Sequence, residues 1–293
     1  MRTQLTVVSL LLIGAAGAAQ ASTFQQTVAA DPKGEVEVNN VAGSIEITTW
    51  DRPQVSVDAV LDSDNLKVEV ESTKGHVEIQ VRYPSHGDRG GAHLKIQVPA
   101  QSSLDVSAVS SSVSTSGVQG RQEIESVSGE IMATVSAADS ELRTVSGRLV
   151  ARGDGHPAHL RANSVSGAVE IEGGSGNVES TTVSGSLNAT LSGAQQVHAR
   201  TTSGSLRLSG KIAPSGTLQA ETISGSVTIA ATADAGFSYD AETFSGSISN
   251  CWGQEAERLS EYVPSKRLTG QRDKGNAHMR IKTLSGSISL CEK

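Results

Sequence analysis

A three-residue step, an apolar residue (once Thr) followed by Ser and Gly, recurs through the second half of this chain and limits its possible folds more than any other feature. It stands at Val127-Ser128-Gly129, Val145-Ser146-Gly147, Val165-Ser166-Gly167, Val183-Ser184-Gly185, Thr202-Ser203-Gly204, Ile223-Ser224-Gly225, Phe244-Ser245-Gly246 and Leu284-Ser285-Gly286. Successive glycines are 18, 20, 18, 19, 21, 21 and 40 residues apart. A fixed period of this size marks an array of stacked units, none of which can bury its apolar face alone. The last interval is two periods long, so it holds an inserted loop or a degenerate unit.

The flanks repeat with the step. Three residues after each Ser stand Ile131, Leu149, Val169, Leu187, Leu206, Val227, Ile248 and Ile288, and the position two further on is mostly apolar again, as at Ile171, Leu208, Ile229 and Leu290. Apolar residues two apart describe a strand with one buried face. Two residues before each Ser there is a hydroxyl: Ser126, Thr144, Ser164, Thr182, Thr201, Thr222, Thr243 and Thr283. Each unit therefore reads as a strand, a Ser-Gly corner, a second strand and a looser turn. The expected fold is all-β, a parallel β-solenoid of ~20-residue two-strand rungs rising about 4.8 Å each. Glycine at the corner is expected for positive φ and for close approach of neighbouring backbones. The Ser and Gly ladders are thus read as corner architecture.

The remainder divides around this array. Residues 1–21 carry Arg2, an apolar stretch from Leu5 to Ala18 and an Ala19-Gln20-Ala21 cleavage site, which together read as a secretory signal peptide. No later stretch approaches the ~20 apolar residues of a membrane span, so an exported chain in the periplasm or at the cell surface of a bacterium is expected. Residues 22–106 alternate cleanly, as in Glu35-Val36-Glu37-Val38 and Leu94-Lys95-Ile96-Gln97-Val98, and read as a β-rich start and cap. Residues 107–293 form the repeats, with a charged insertion at 254–278 expected to project sideways. The net charge is −7, one unit more negative without Arg2, and aromatic content is 3%. Neither supplies the basic stripe or stacking platform that nucleic acid requires.

Several of these features together resemble the bacterial DUF4097 family, whose members are also labelled adhesins. They are the Val-Ser-Gly punctuation, the early Val41-Ala42-Gly43-Ser44-Ile45-Glu46-Ile47 followed by Trp50-Asp51, the Val98-Pro99 lead-in, and the ending Thr283-Leu284-Ser285-Gly286-Ser287-Ile288. The resemblance extends over nearly the whole mature chain. It implies an envelope-associated β-repeat protein and offers no functional residues to carry over.

Cys251 and Cys291 each lie five residues after a corner glycine. If their rungs are neighbours, the Cα atoms stand about 4.8 Å apart, within disulfide range. A disulfide closing the charged segment is expected in an oxidising compartment. A polysaccharide-active β-helix enzyme, lyase or hydrolase, is the alternative function. It would need carboxylates gathered on one outer face. The outward positions are instead mixed: Glu125, Arg143, Asn163, Thr181, Arg200, Glu221, Glu242 and Lys282, with Glu221 and Glu242 matched on adjacent rungs. Gly173-Gly174-Ser175-Gly176-Asn177 lacks the Asp of a calcium-binding repeat. The seven His residues are scattered, and Ser128 and its equivalents have no fixed His and acid partners. The sequence points to a non-catalytic, cofactor-free envelope module, adhesin-like in its contacts, whose partner is an envelope glycan or protein.

Overall fold

A computed structural model describes residues 22–84, 90–251, 254–260 and 262–290. The 1–21 leader and Cys291 lie outside the described residues. All the described elements are strands, and their pairing is solenoid-like. Strands before the corner stack in parallel in one column, and strands after it stack in a second.

Register explains why. In the first column Ile124, Leu142, Ala162, Ser180, Ala199, Ala220, Ile281 and Ala241 lie opposite one another in turn, and all are buried. In the second column Val113, Ile131, Leu149, Val169, Leu187, Leu206, Val227 and Ile288 do the same. Every one is 1% exposed or less. Each large side chain in that column contributes about 1.5–3 kcal/mol by leaving water. A one-residue slip would turn a whole strand's apolar set outward, so the register is strongly fixed.

The corner is built from the hydroxyl ahead of it. Ser126, Thr144, Ser164 and Thr182 accept hydrogen bonds from the backbone N–H of Gly129, Gly147, Gly167 and Gly185 at 2.8–3.1 Å. None of the eight corner glycines has positive φ; the left-handed glycines include Gly173, Gly176, Gly193 and Gly210, in the turn after the second strand. The expected dihedral role is therefore corrected, whereas the close-approach role holds. A Cβ on Gly147 would lie 1.9 Å from the carbonyl oxygen of Gly129, and one on Gly185 would lie 2.0 Å from that of Gly167.

The looser turn is not uniform. Between 169 and 224 the second strand of one rung runs into the first strand of the next, giving continuous strands Val169–Thr182, Leu187–Ser203 and Leu206–Ser224. Register shifts around Gly174, Gly176 and Ala194 bend them, as β-bulges do.

The order of rungs departs from the order of the chain at its end. Ala277–Ser285 pairs in parallel with residues 217–224 on one side and with Phe237–Thr243 on the other. Ile288–Leu290 likewise sits between Val227–Thr232 and Ile248–Asn250. The last rung in sequence is thus inserted beneath the one that precedes it. Lys266–Arg272, part of the charged 254–278 stretch, does not project: it lies antiparallel on Phe237–Thr243 with Leu268 buried. It covers an edge that would otherwise expose unpaired backbone groups.

The opposite end is closed similarly. Glu35–Trp50 pairs in parallel with Ser103–Thr115 on one side, and with His76–Arg82 and Ala92–Pro99 on the other. Lys67–Thr73 and Gln54–Leu61 then add antiparallel, and Ser22–Ala29 adds to the latter.

Candidate interaction groove along the corner

The residue between the buried hydroxyl and the corner Ser must point outward, because successive strand residues alternate. Stacking turns this position into a ridge. In spatial order it runs Val127, Val145, Val165, Val183, Thr202, Ile223, Leu284, Phe244, and Val109 and then Val41, which follow Ala108 and Asn40 in place of a hydroxyl, extend it beyond Val127. The apolar members are 44–53% exposed. Ten levels at about 4.8 Å make the ridge roughly 43 Å long.

A second outward row lies two residues upstream and runs alongside. It comprises Ser107, Glu125, Arg143, Asn163, Thr181, Arg200, Glu221, Lys282 and Glu242, each opposite the next. The buried hydroxyls lie between ridge and rail as a floor. Two clefts of about 410 and 610 Å³ follow this floor and adjoin at Thr181.

The rail's charges neutralise one another. Arg143 bridges Glu123, Glu125 and Glu141, and the hydrogen bond it donates to Glu125 leads the effects that raise the pKa of its guanidinium. Arg200 meets Glu221 at 3.0 Å and Lys282 meets Glu242 at 3.9 Å. Glu221 and Glu242, expected on adjacent rungs, are separated by Lys282, because the C-terminal rung enters between them. The rail therefore offers paired charges and the ridge offers apolar surface.

The corner serines face solvent but are tied along the stack. The hydroxyls of Ser128, Ser146, Ser166 and Ser184 donate to carbonyls of the preceding level at 3.2–3.5 Å. Ser203 and Ser245 donate their backbone N–H groups to Val183 and Leu284, and Ser224 stacks on Ser203 and Ser285. Gly204, Gly225, Gly246 and Gly286 continue the same close approach.

Register also gathers carboxylates that the sequence left apart. Glu37, Asp105, Glu123 and Glu141 lie on successive levels of another outward row. Burial first, and then Glu123, Glu37, Glu35 and Glu125, push the Asp105 carboxyl above its ordinary value. Continuing the pairing from Ser107–Glu125 two residues upstream would have exposed this row. Among the described residues no group of three or more His, Cys, Asp or Glu is arranged to hold a metal.

The Cys251 backbone N–H donates to the carbonyl of Leu290 at 3.1 Å. Cys251 therefore sits beside the residue that precedes Cys291.

A family model described as Toastrack DUF4097 matches residues 34–291. Three solved structures match over most of the chain at low identity and low TM-score. One is a Parabacteroides distasonis protein provisionally described as lipid-binding, 15% identical, with TM-score 0.44, covering 92% of this chain and 96% of its own. A second protein of that organism, provisionally named an adhesin, is 12% identical with TM-score 0.40, covering 92% and 98%. A Parabacteroides merdae protein, also provisionally named an adhesin, is 10% identical with TM-score 0.40, covering 92% and 95%. No curated protein matches the sequence.

Proposed function

We propose that this chain, which belongs to the Toastrack DUF4097 family, is an exported, non-catalytic β-solenoid of two-strand rungs that works as an adhesin-like contact module of the bacterial envelope. Its contact surface is the corner groove. The observation that carries this reading is the ridge itself. Monomeric soluble proteins seldom expose a continuous apolar patch beyond a few hundred Å², and here about half of each ridge side chain faces solvent over ten successive levels. The rail beside it holds its carboxylates against Arg143, Arg200 and Lys282. Such paired charges suit the rim of a contact better than acid–base chemistry, which calls for carboxyl groups whose pKa values are driven apart.

Two structural parts of the reading follow the same logic. The solenoid subdivision rests on the two columns and on the corner that joins them. A Cys251–Cys291 disulfide would tie the inserted C-terminal rung to its neighbour, and Cys251 already lies beside Leu290.

The test is retention of labelled residues 22–293 on washed bacterial envelope fragments, compared with a Val145→Asp, Ile223→Asp double variant. Retention is expected for the native chain and is lost in the variant at unchanged far-UV circular dichroism. Equal retention of both proteins, or release of soluble oligosaccharide from the fragments, would overturn the proposal.

A further inference from the structure

The ridge and the rail together define what fits them. Any partner matching the ridge over its length must present apolar groups about 4.8 Å apart, and a second copy of the same ridge does so. We infer that two copies of this chain pair through their corner ridges, antiparallel, about a two-fold axis at the level of Val183. This rests on the proposal that the groove is a contact surface, and it adds a second copy as a partner that competes with the envelope for the same ridge.

Geometry selects the antiparallel arrangement. The rail lies on one side of the ridge, so two copies facing each other bring rail against rail only when their ridges run in opposite directions. The contact is then isologous and closes as a dimer.

Charge selects the register. With Val183 facing Val183, Glu125 of one copy faces Lys282 of the other and Arg143 faces Glu221, each pair occurring twice. Along the ridge Val165 faces Thr202, Val145 faces Ile223, Val127 faces Leu284 and Val109 faces Phe244. A slip of one level in one direction sets Glu125 against Glu221 and Arg143 against Arg200. A slip in the other direction sets Arg143 against Lys282 and Glu125 against Glu242. Like charges reject the registers one level to either side, and a two-level slip that sets Glu125 against Arg200 keeps one kind of opposite-charge pair where the Val183 register has two. Eight apolar side chains, each near half exposure, together with the rail, offer on the order of 800 Å², what a standard-size interface takes from each partner.

The experiment is sedimentation equilibrium of residues 22–293, with circular dichroism of every variant to confirm the fold. A dimer is expected, weakened at least tenfold by Ile223→Asp. Glu125→Lys and Lys282→Glu should each weaken it, and their combination should restore it. The two positions lie six levels apart, about 29 Å within one chain, so recovery reports contact between copies. A monomer at all concentrations, an assembly indifferent to Ile223→Asp, open-ended oligomers, or a double variant no better than the singles would overturn the inference. A monomer that still binds envelope fragments through the ridge would leave the contact-surface proposal standing.

Discussion

Replacing Gly185 by Ala isolates the physical role of the repeated corner. Gly185 lies outside the left-handed region, so alanine has no dihedral penalty there. Its Cβ would stand 2.0 Å from the carbonyl oxygen of Gly167, and the neighbouring level must retreat by more than about 1 Å to restore an ordinary contact. The two levels are joined by Ser184 N–H to Val165 O at 2.9 Å, and the corner of Gly185 is itself closed by its N–H to the Thr182 hydroxyl at 3.1 Å. Overpacking of this kind costs about 1–3 kcal/mol, and leaving a buried corner group unpaired costs about 1–3 kcal/mol more. The expected loss is about 2–6 kcal/mol. Gly193 is the control, with φ +80° and nothing within 4 Å of an added Cβ. Gly193→Ala carries only the left-handed penalty of about 1–2 kcal/mol. Urea unfolding of residues 22–293, followed by far-UV circular dichroism, compares the two. Equal midpoints for Gly185→Ala and the native chain, or a larger shift for Gly193→Ala, would refute the close-approach argument.

Removing residues 277–293 should strip the parallel partner from both 217–224 and Phe237–Thr243. Hydrogen exchange across 217–250 is then expected to approach unprotected rates while 122–182 stays protected. Asp105 gives a pH signature. Its raised carboxyl pKa means that the folded chain binds that proton more tightly than the unfolded one. The ionised group therefore opposes folding as pH rises through the folded value, so Asp105→Asn should stabilise the protein at pH 7. The two proteins should converge below the ordinary value of 3.8, and a pH-independent difference would contradict this. For the proposed disulfide, the mature chain should take up two alkylating groups only after reduction, whereas uptake without reductant would exclude the bond.

Much of this structure was legible because a stacked array writes its geometry into its period. Ile131, Leu149 and Val169 recur at one offset and form one buried column; Ser126 and Thr144 recur at another and cap the corner. The order of stacking was not legible. Every rung is compatible with every other, so the period cannot reveal that Ala277–Ser285 enters beneath Phe237–Thr243. The one signal was electrostatic: Glu221 and Glu242 would be like-charged neighbours, and Lys282 relieves them. The dihedral role of the corner glycine was misassigned because Ser-Gly is a common turn sequence, while here backbone proximity imposes glycine. The ridge stayed hidden for a related reason. An apolar residue at the head of each motif suggests core, yet Val127 follows the buried Ser126 and alternation turns it to solvent.

Val183 and Gly185 are two residues apart on the same corner, yet Val183 turns outward onto the ridge while Gly185 packs against the neighbouring level. Measuring the urea midpoint and the retention on envelope fragments for Val183→Asp and Gly185→Ala therefore tests its central claim, that the repeat builds the fold and the ridge makes the contact. Val183→Asp should lose retention with its midpoint within about 1 kcal/mol of native, as surface substitutions do, while Gly185→Ala should lose stability. A Val183→Asp protein that binds as the native chain does would contradict the account.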